Sequence, residues 1–190
     1  ARVMVARLGA GLIDAPHNVE HARHNMEHMK KVWVEAGRDL ADLKTTAAIP
    51  GCVLKEGESP DSARVKSVTG PHAMIALHSL IEAGEFGDIG RAPPDFLKPY
   101  LERYRQVYER YPAEARYLDN HRGHLMVLKP EEEAICDGAL IRAATWTATA
   151  PELREQMAEL KRIGYTHLNI ECGYRHPEKL EEWLPVLEGL

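Results

Sequence analysis

The chain has 190 residues, and its 24 Lys and Arg residues against 29 Asp and Glu residues give a formal net charge of −5. This length suits one domain or slightly more, and the negative charge argues against a general nucleic-acid-binding protein, which needs a basic surface. No apolar run approaches the ~20 residues of a membrane-spanning helix. The three cysteines, Cys52, Cys136 and Cys172, are far apart, which favours reduced thiols and a cytoplasmic location.

Hydrophobic spacing and turn residues predict that helices and strands alternate along the chain. The clearest pattern is the stripe Val19, Ala22, Met26, Met29 and Trp33, whose steps of three and four residues predict one buried helix face. In chain order, we predict a helix end at 3–8, a strand at 11–14, a helix at 16–36, a strand at 44–54, a helix at 59–83, a loop at 84–94, a helix at 95–111, an irregular segment at 112–123, a short apolar stretch at 124–128, a helix from 130, a helix at 149–163, a strand at 165–171 and a helix at 177–189.

Two proline-containing segments affect this assignment. Gly70-Pro71 lacks the residue spacing of a phosphate-binding loop, and we expect it to break the helix at 59–83 and to pack against the sheet. Pro130 precedes Glu131, Glu132 and Glu133, so we expect a helix start whose dipole the acidic residues compensate. Adjacent helical residues diverge by ~100°, so these carboxylates do not form a catalytic pair.

The predicted order implies an α/β fold in which helical crossovers join parallel strands. A parallel sheet of three strands leaves faces and edges uncovered, and a complete (β/α)8 TIM barrel takes about 250 residues. The first residues also read as if the chain were entered in the middle of an element, and we expect no leader there. We therefore predict one domain, residues 1–190, that is the C-terminal part of such a barrel, with a helical insertion at residues 84–128.

Five short stretches occur in an order typical of one enzyme family. They are ARLGAGLI at 6–13, EAGRD at 35–39, HRGHL at 121–125, TWTATAPELR at 145–154 and LKRIGYTHL at 160–168. Together they resemble the luciferase-like monooxygenase superfamily, although Ala10 stands where the family usually has Asp. The resemblance implies a TIM barrel, of which this chain supplies about the last three strands. It also implies FMN or the deazaflavin coenzyme F-420 as cofactor, with hydride transfer to, or oxygenation of, a small organic substrate.

The resemblance and the barrel geometry together suggest candidate site residues. Catalytic sites of TIM barrels lie at the carboxyl ends of the strands, and the last strand is followed by Glu171, Arg175 and His176. Here Arg175 is suited to a phosphate or carboxylate, and His176 to proton transfer, although His176-Pro177 also fits a simple helix start.

Other candidates lie further from the C-terminus. His121, Arg122 and His124 surround a glycine that permits close backbone approach to a ligand, and Arg122 suits a planar anion. Trp146 and Thr147 precede a helix at the expected barrel mouth, where Trp146 either stacks on a ring system or is buried in the core. We predict that His121, His124, Glu171 and His176 are catalytic and that Arg122, Trp146, Thr147 and Arg175 bind the cofactor.

A histidine-rich helix face offers a different function. His17, His21, His24 and His28 recur at steps of four, three and four residues, and pairs at i, i+4 can bind zinc or nickel. A metal-binding helical module is therefore one alternative. A solvated helix face explains the same residues, and Arg23 beside them disfavours a cation, so we predict no metal ligands.

The predicted partners follow from charge and from the incomplete barrel. We expect a small-molecule substrate and neither nucleic acid nor membrane. The open sheet edges also predict a homo-oligomer, or association with the missing N-terminal half of the barrel. A non-catalytic half-barrel that binds a partner chain remains the second alternative.

Overall fold

The computed structural model describes residues 1–85, 93–172 and 176–190, so most of the predicted loop at 84–94 lies outside the described residues. The chain divides into two compact units, one made of Ala1–Val53 with Ala148–Leu190 and the other of Leu54–Thr147. The predicted single domain with an insertion at 84–128 stays a prediction. The helices and strands are α1 (Arg2–Leu8), β1 (Leu12–Asp14), α2 (Val19–Glu35), β2 (Thr45–Pro50), β3 (Val53–Leu54), α3 (Ala63–Glu85), α4 (Lys98–Tyr108), α5 (Arg116–Asn120), α6 (Gly138–Ala144), β4 (Ala148–Thr149), α7 (Ala150–Ile163), β5 (His167–Glu171) and α8 (Glu178–Leu187).

The first unit contains a three-stranded parallel sheet of order β1-β2-β5. Ile13 pairs with Thr46 in β2, and Ile49 pairs with Ile170 in β5. β2 is the central strand and is almost fully buried, whereas β1 and β5 are partly exposed. The predicted parallel strands are confirmed for β1, β2 and β5, and these three strands form an open sheet that is compatible with part of a (β/α)8 barrel rather than a closed one.

Helix α2 forms as its apolar stripe predicts. The Asn18 side chain caps the helix by accepting a hydrogen bond from the His21 N–H, 2.8 Å away, which satisfies one of the free amides of the first turn. Met26, Met29 and Trp33 are buried. The Trp33 indole Nε1–H also donates to the Asp39 carbonyl at 2.7 Å, so the C-terminal end of α2 is anchored to the segment that leads into β2.

Helix α7 also begins and ends where the sequence predicts. Glu152 accepts hydrogen bonds from both the backbone N–H and the hydroxyl of Thr149, each 2.8 Å long, as in a capping box. Gly164 ends the helix at φ +118°, a conformation that L side chains rarely adopt. The next residue, Tyr165, leads into β5, and its hydroxyl donates to Asp14 at 2.7 Å.

The second unit is helical, and in it the predicted break at Gly70-Pro71 is wrong. Helix α3 runs through Pro71 without interruption. Pro71 removes one backbone hydrogen bond, but buried apolar residues on both sides of it, such as Val68 and Met74, hold the helix in place. A Cβ on Gly70 would lie 3.2 Å from Leu128 and 3.4 Å from Cys136, so this position packs closely against the second unit's own residues rather than against the sheet.

Two further assignments in this unit are corrected. The segment predicted to be irregular at 112–123 contains the short helix α5. The helix predicted to begin at Pro130 is only a 3-10 turn, Pro130–Glu132, and α6 begins later at Gly138. There the Asp137 side chain accepts a hydrogen bond from the Leu140 N–H at 2.9 Å, which makes Asp137 the stronger helix cap. None of the described helices combines the length and apolarity needed to cross a membrane.

Candidate functional site

A group of histidine and carboxylate side chains lies inside the second unit. We call it the histidine cluster, and it consists of His78, Glu82, His121, His124 and Glu132. His78 and Glu82 are four residues apart on α3 and therefore share one helix face. His121 and His124 follow α5, and Glu132 ends the 3-10 turn after Lys129. Three separate segments thus bring these side chains together.

Two of the imidazoles are each bonded to a carboxylate. His78 Nε2 lies 2.7 Å from Glu132 Oε1, and both side chains are almost fully buried. His121 Nε2 lies 3.0 Å from Glu82 Oε2 in a more exposed position. Because a carboxylate only accepts hydrogen bonds, each pair orients its imidazole ring.

His124 lies between these two pairs. Its Nδ1 is 3.4 Å from Nδ1 of His78 and 3.3 Å from Nδ1 of His121. The pKa of His124 is lowered, chiefly because the side chain is partly buried. The cluster therefore favours the neutral form of the His124 imidazole.

The buried side chain of Lys129 contacts Glu132 of the histidine cluster. Lys129 is 3% exposed, and its ammonium lies 2.9 Å from Glu132 Oε1. It also donates to the carbonyls of Asp119 and Asn120, at 3.1 and 2.9 Å. Burial raises the pKa of Glu132, but the hydrogen bond from His78 and the charge of Lys129 outweigh it, so the pKa is lowered overall. Glu132 is therefore an ionised carboxylate at neutral pH.

Asn120 connects the two sides of the cluster. It is fully buried, and its amide nitrogen donates to Glu82 Oε1 at 2.7 Å and to the His78 carbonyl at 3.3 Å. Its amide oxygen accepts a hydrogen bond of 2.6 Å from the hydroxyl of Tyr104. Burial is the main cause of the raised pKa of Tyr104, so this hydroxyl stays protonated as a donor.

The predicted cofactor-binding residues of the second unit have other contacts. Arg122 is exposed and pairs with Glu131 at 2.6 Å and with Asp119 at 3.9 Å. Trp146 is buried, as its alternative interpretation allows. The Thr147 hydroxyl is also buried and lies 2.7 Å from the hydroxyl of Thr145. Their roles in cofactor binding stay predictions.

The remaining predicted residues lie at the carboxyl end of β5 in the first unit. Glu171 is the last residue of that strand, and its carbonyl accepts a hydrogen bond from Lys179 in α8. His176 Nδ1 lies 3.1 Å from Glu178 Oε1, close to the start of α8. Arg175 lies outside the described residues. Glu171 and His176 are thus near one strand end, whereas His121, Arg122 and His124 belong to the other unit.

Helix α8 places two polar groups in the interior at this strand end. Lys179 and Trp183 are four residues apart and share a helix face, and each is 1% exposed. Burial lowers the pKa of the Lys179 ammonium. The Trp183 indole Nε1 is buried and has no hydrogen-bond partner among the described residues. A buried donor of this kind is uncommon, because an unmade hydrogen bond costs about 1–3 kcal/mol.

A surface cleft lies at the opposite end of β5. Its volume is about 430 Å³, and Met157, Lys161, Tyr165 and His167 contribute to its lining. The carboxyl ends of the strands carry the chemistry in TIM barrels, whereas the amino ends contribute to stability. We therefore give this cleft no role in the candidate site.

The histidine-rich face of α2 is at least partly exposed along its length. His24 and His28 are exposed, as expected for a solvated face, and His17 Nδ1 lies 2.7 Å from His21 Nδ1. In the part of the chain that the structure describes, no group of three or more His, Cys, Asp or Glu side chains could hold a metal ion.

Several residues of the candidate site were not predicted from the sequence. They are His78, Glu82, Asn120, Lys129, Glu132 and Lys179. The spacing of His78 and Glu82 by one helical turn, within the mostly apolar stretch 73–83, was a usable signal. The sequence signal at Glu132 was misleading, because its position after Pro130 indicated helix-dipole compensation.

Comparisons with known proteins support the fold. No family model and no curated protein matches the sequence. Thirteen chains of solved structures match, among them the coenzyme F420-dependent tetrahydromethanopterin reductase from Methanopyrus kandleri. That match has a TM-score of 0.50 and 18% sequence identity, and it covers 98% of this chain and 46% of the reductase chain. The likeness therefore shows the fold alone, and this chain spans less than half of the reductase's length.

Proposed function

We propose that this chain is part of a deazaflavin-dependent oxidoreductase and that the coenzyme binds at the carboxyl ends of β1, β2 and β5. The observation that carries the proposal is the fold likeness of nearly the whole chain to an F420-dependent reductase. The parallel order β1-β2-β5 supports it, because parallel α/β sheets bind ligands at their carboxyl edge.

The residues at this edge suit a coenzyme that carries a phosphate. Such a group needs positive charge and N–H donors in a partly desolvated place. Lys179 supplies a buried ammonium, and Trp183 supplies a buried N–H without an acceptor. The histidine cluster suits an anion poorly, because Glu82 and Glu132 face it.

In this proposal the coenzyme, when bound, supplies the hydride-transfer chemistry. Lys179 holds the anionic part of the coenzyme, and α8 excludes water from that side. Glu171 and His176, at the end of β5, donate or accept the protons of the small-molecule substrate. Arg175, which follows the same strand, remains a proposed coenzyme contact.

The first test is direct binding of the coenzyme. We expect coenzyme F-420 to bind with a quench of its fluorescence, and Lys179→Met to weaken binding by about tenfold, because an ion-assisted hydrogen bond contributes about 1.5–3 kcal/mol. Lys161→Met removes an exposed lysine from the opposite end of the sheet and is the matched control. FMN, titrated in parallel, distinguishes a deazaflavin site from a flavin site.

Two results would contradict the proposal. If neither F-420 nor FMN binds at tens of micromolar protein, the coenzyme assignment is wrong. If Lys179→Met and Lys161→Met bind the coenzyme equally well, the coenzyme does not lie at the end of β5.

A second candidate function is association with a second copy of this chain, favoured by the edges of the sheet. No described strand pairs with the outer edge of β1 or of β5, and Ile13 on β1 is 75% exposed. Unpaired edges of this kind are templates for strand pairing. A dimer through these edges would cover them.

Sedimentation at several concentrations tests this association. We expect a dimer that Ile13→Lys converts to a monomer, because a charge on an edge strand opposes pairing. Val34→Lys, on the exposed face of α2, leaves the dimer intact. A monomer at every concentration would rule out the second candidate and leave coenzyme binding untouched.

A further inference from the structure

Only one of the two ring nitrogens of His124 contacts other described side chains. Both neighbouring imidazoles contact the same atom, Nδ1, at 3.3 and 3.4 Å. Among the described residues, Nε2 has no hydrogen-bond partner, and the side chain is partly exposed. The contacts at Nδ1 therefore hold the ring, and Nε2 faces solvent.

The carboxylates determine where the protons of the cluster reside. Glu132 accepts from Nε2–H of His78, and Glu82 accepts from Nε2–H of His121. When both rings are neutral, each has only one N–H, and Nδ1 of each ring then carries a lone pair. Both lone pairs face Nδ1 of His124, which must then carry the shared proton. A three-centre hydrogen bond of this kind explains why both distances are long.

In that state, Nε2 of His124 carries an oriented lone pair. We propose that His78 and His121 are both neutral and that His124 Nε2 is a general-base site, positioned by the two carboxylate–imidazole pairs, which accepts a proton from a neutral or cationic ligand bearing an O–H or N–H group. The same logic operates where a carboxylate fixes the tautomer of a catalytic histidine. This inference stands on the histidine cluster and does not depend on the proposed coenzyme.

The charges around His124 define the class of ligand. The acidic groups facing the cluster outnumber the cations, and anionic ligands are therefore disfavoured. The titratable and charged groups that face it are His78 and Glu82 on α3, Tyr104 on α4, Asp119 on α5, His121 and Arg122 after it, and Lys129, Glu131 and Glu132 in and before the 3-10 turn.

The electrostatics also keep the base in its active form. Burial is the first cause that lowers the pKa of His124, and the charge of Lys129 also lowers it, while Glu82 opposes them. The imidazole therefore remains neutral at pH values where an ordinary histidine, with a pKa near 6.5, is half protonated. A neutral ring is the form that accepts a proton.

Nitrogen NMR of the unaltered protein tests the tautomers without any substitution. At pH 7 we expect His124 to carry its proton on Nδ1, with a bare Nε2, and His78 and His121 to carry theirs on Nε2. A His124 ring protonated on Nε2, or on both nitrogens, would overturn the proposal.

Reaction with diethyl pyrocarbonate tests the open nitrogen. Its lone pair attacks a carbonyl carbon, an N–C bond forms, a C–O bond breaks and ethyl carbonate leaves, so only a neutral and accessible nitrogen reacts. We expect peptide mass analysis to find His124 modified, with a half-maximal rate below pH 6.5. Glu82→Gln and Glu132→Gln should slow this reaction by about tenfold or more, because the tautomer is no longer fixed.

Glu133→Gln is the matched control, since Glu133 is exposed beside Glu132 and should leave the rate unchanged. An unreactive His124 in the unaltered protein, or equal rates in all three variants, would contradict the proposal. Titration with Zn²⁺ alone supplies one more outcome. Stoichiometric binding that His124→Ala abolishes would mean that three lone pairs converge on a metal, and the site would then be a metal centre rather than a base.

Discussion

Replacement of Glu132 by leucine is expected to lower the free energy of unfolding by about 3–5 kcal/mol. Glu132 is 1% exposed and lies between His78 and the buried ammonium of Lys129. Without the carboxylate, a buried cation and a buried ring N–H lose their partner, and their desolvation is no longer offset. Urea denaturation followed by circular dichroism measures the loss.

Two further variants make this expectation specific. Glu133→Leu changes the adjacent, exposed carboxylate, and its effect should stay within about 0.5 kcal/mol. Adding Lys129→Met to Glu132→Leu should recover stability, because no unpaired ammonium then remains. A coupling energy below about 0.5 kcal/mol in this double-mutant cycle, or equal losses for Glu132→Leu and Glu133→Leu, would show that Lys129 and Glu132 do not form a buried pair.

Replacement of Trp33 by alanine should destabilise the first unit by about 3–5 kcal/mol. Trp33 is 1% exposed, and its indole N–H donates to the Asp39 carbonyl. The substitution leaves a cavity beneath α2 and an unpaired carbonyl near the start of β2. Thermal and urea unfolding measure the effect, with the amplitude of each transition recorded separately.

The next residue in the chain is the control for this prediction. Val34 points about 100° away from Trp33 around α2 and is 56% exposed, so Val34→Ala should change the unfolding free energy by about 0.5 kcal/mol at most. Similar losses at both positions would mean that the apolar stripe of α2 does not face a core.

Local residue patterns predicted the elements of the first unit well. The Asn18 cap and the stripe ending at Trp33 predicted α2, and Thr149 with Glu152 predicted the start of α7. Prolines misled the prediction in the second unit, where α3 continues through Pro71 and only a 3-10 turn follows Pro130. In both places, contacts with residues distant in sequence outweigh the local preference of proline.

The candidate site was predicted only in part. His121 and His124 were recognised through a family resemblance, and both lie in the histidine cluster. Their partner His78 lies 46 residues before His124, on α3, and no local pattern connects the two. Glu132 was predicted, with Glu131 and Glu133, to compensate a helix dipole, yet it alone of the three is buried.

Local order along the chain was sufficient to predict parallel β-strands joined by helices, because helical and strand periodicities and caps depend on residues within a few positions of one another. Three-dimensional packing was needed to show that a lysine, a glutamate and three imidazoles form one network. Whether an ionisable side chain is buried, and which tautomer an imidazole adopts, depend on groups that meet only after helices from distant parts of the chain have packed.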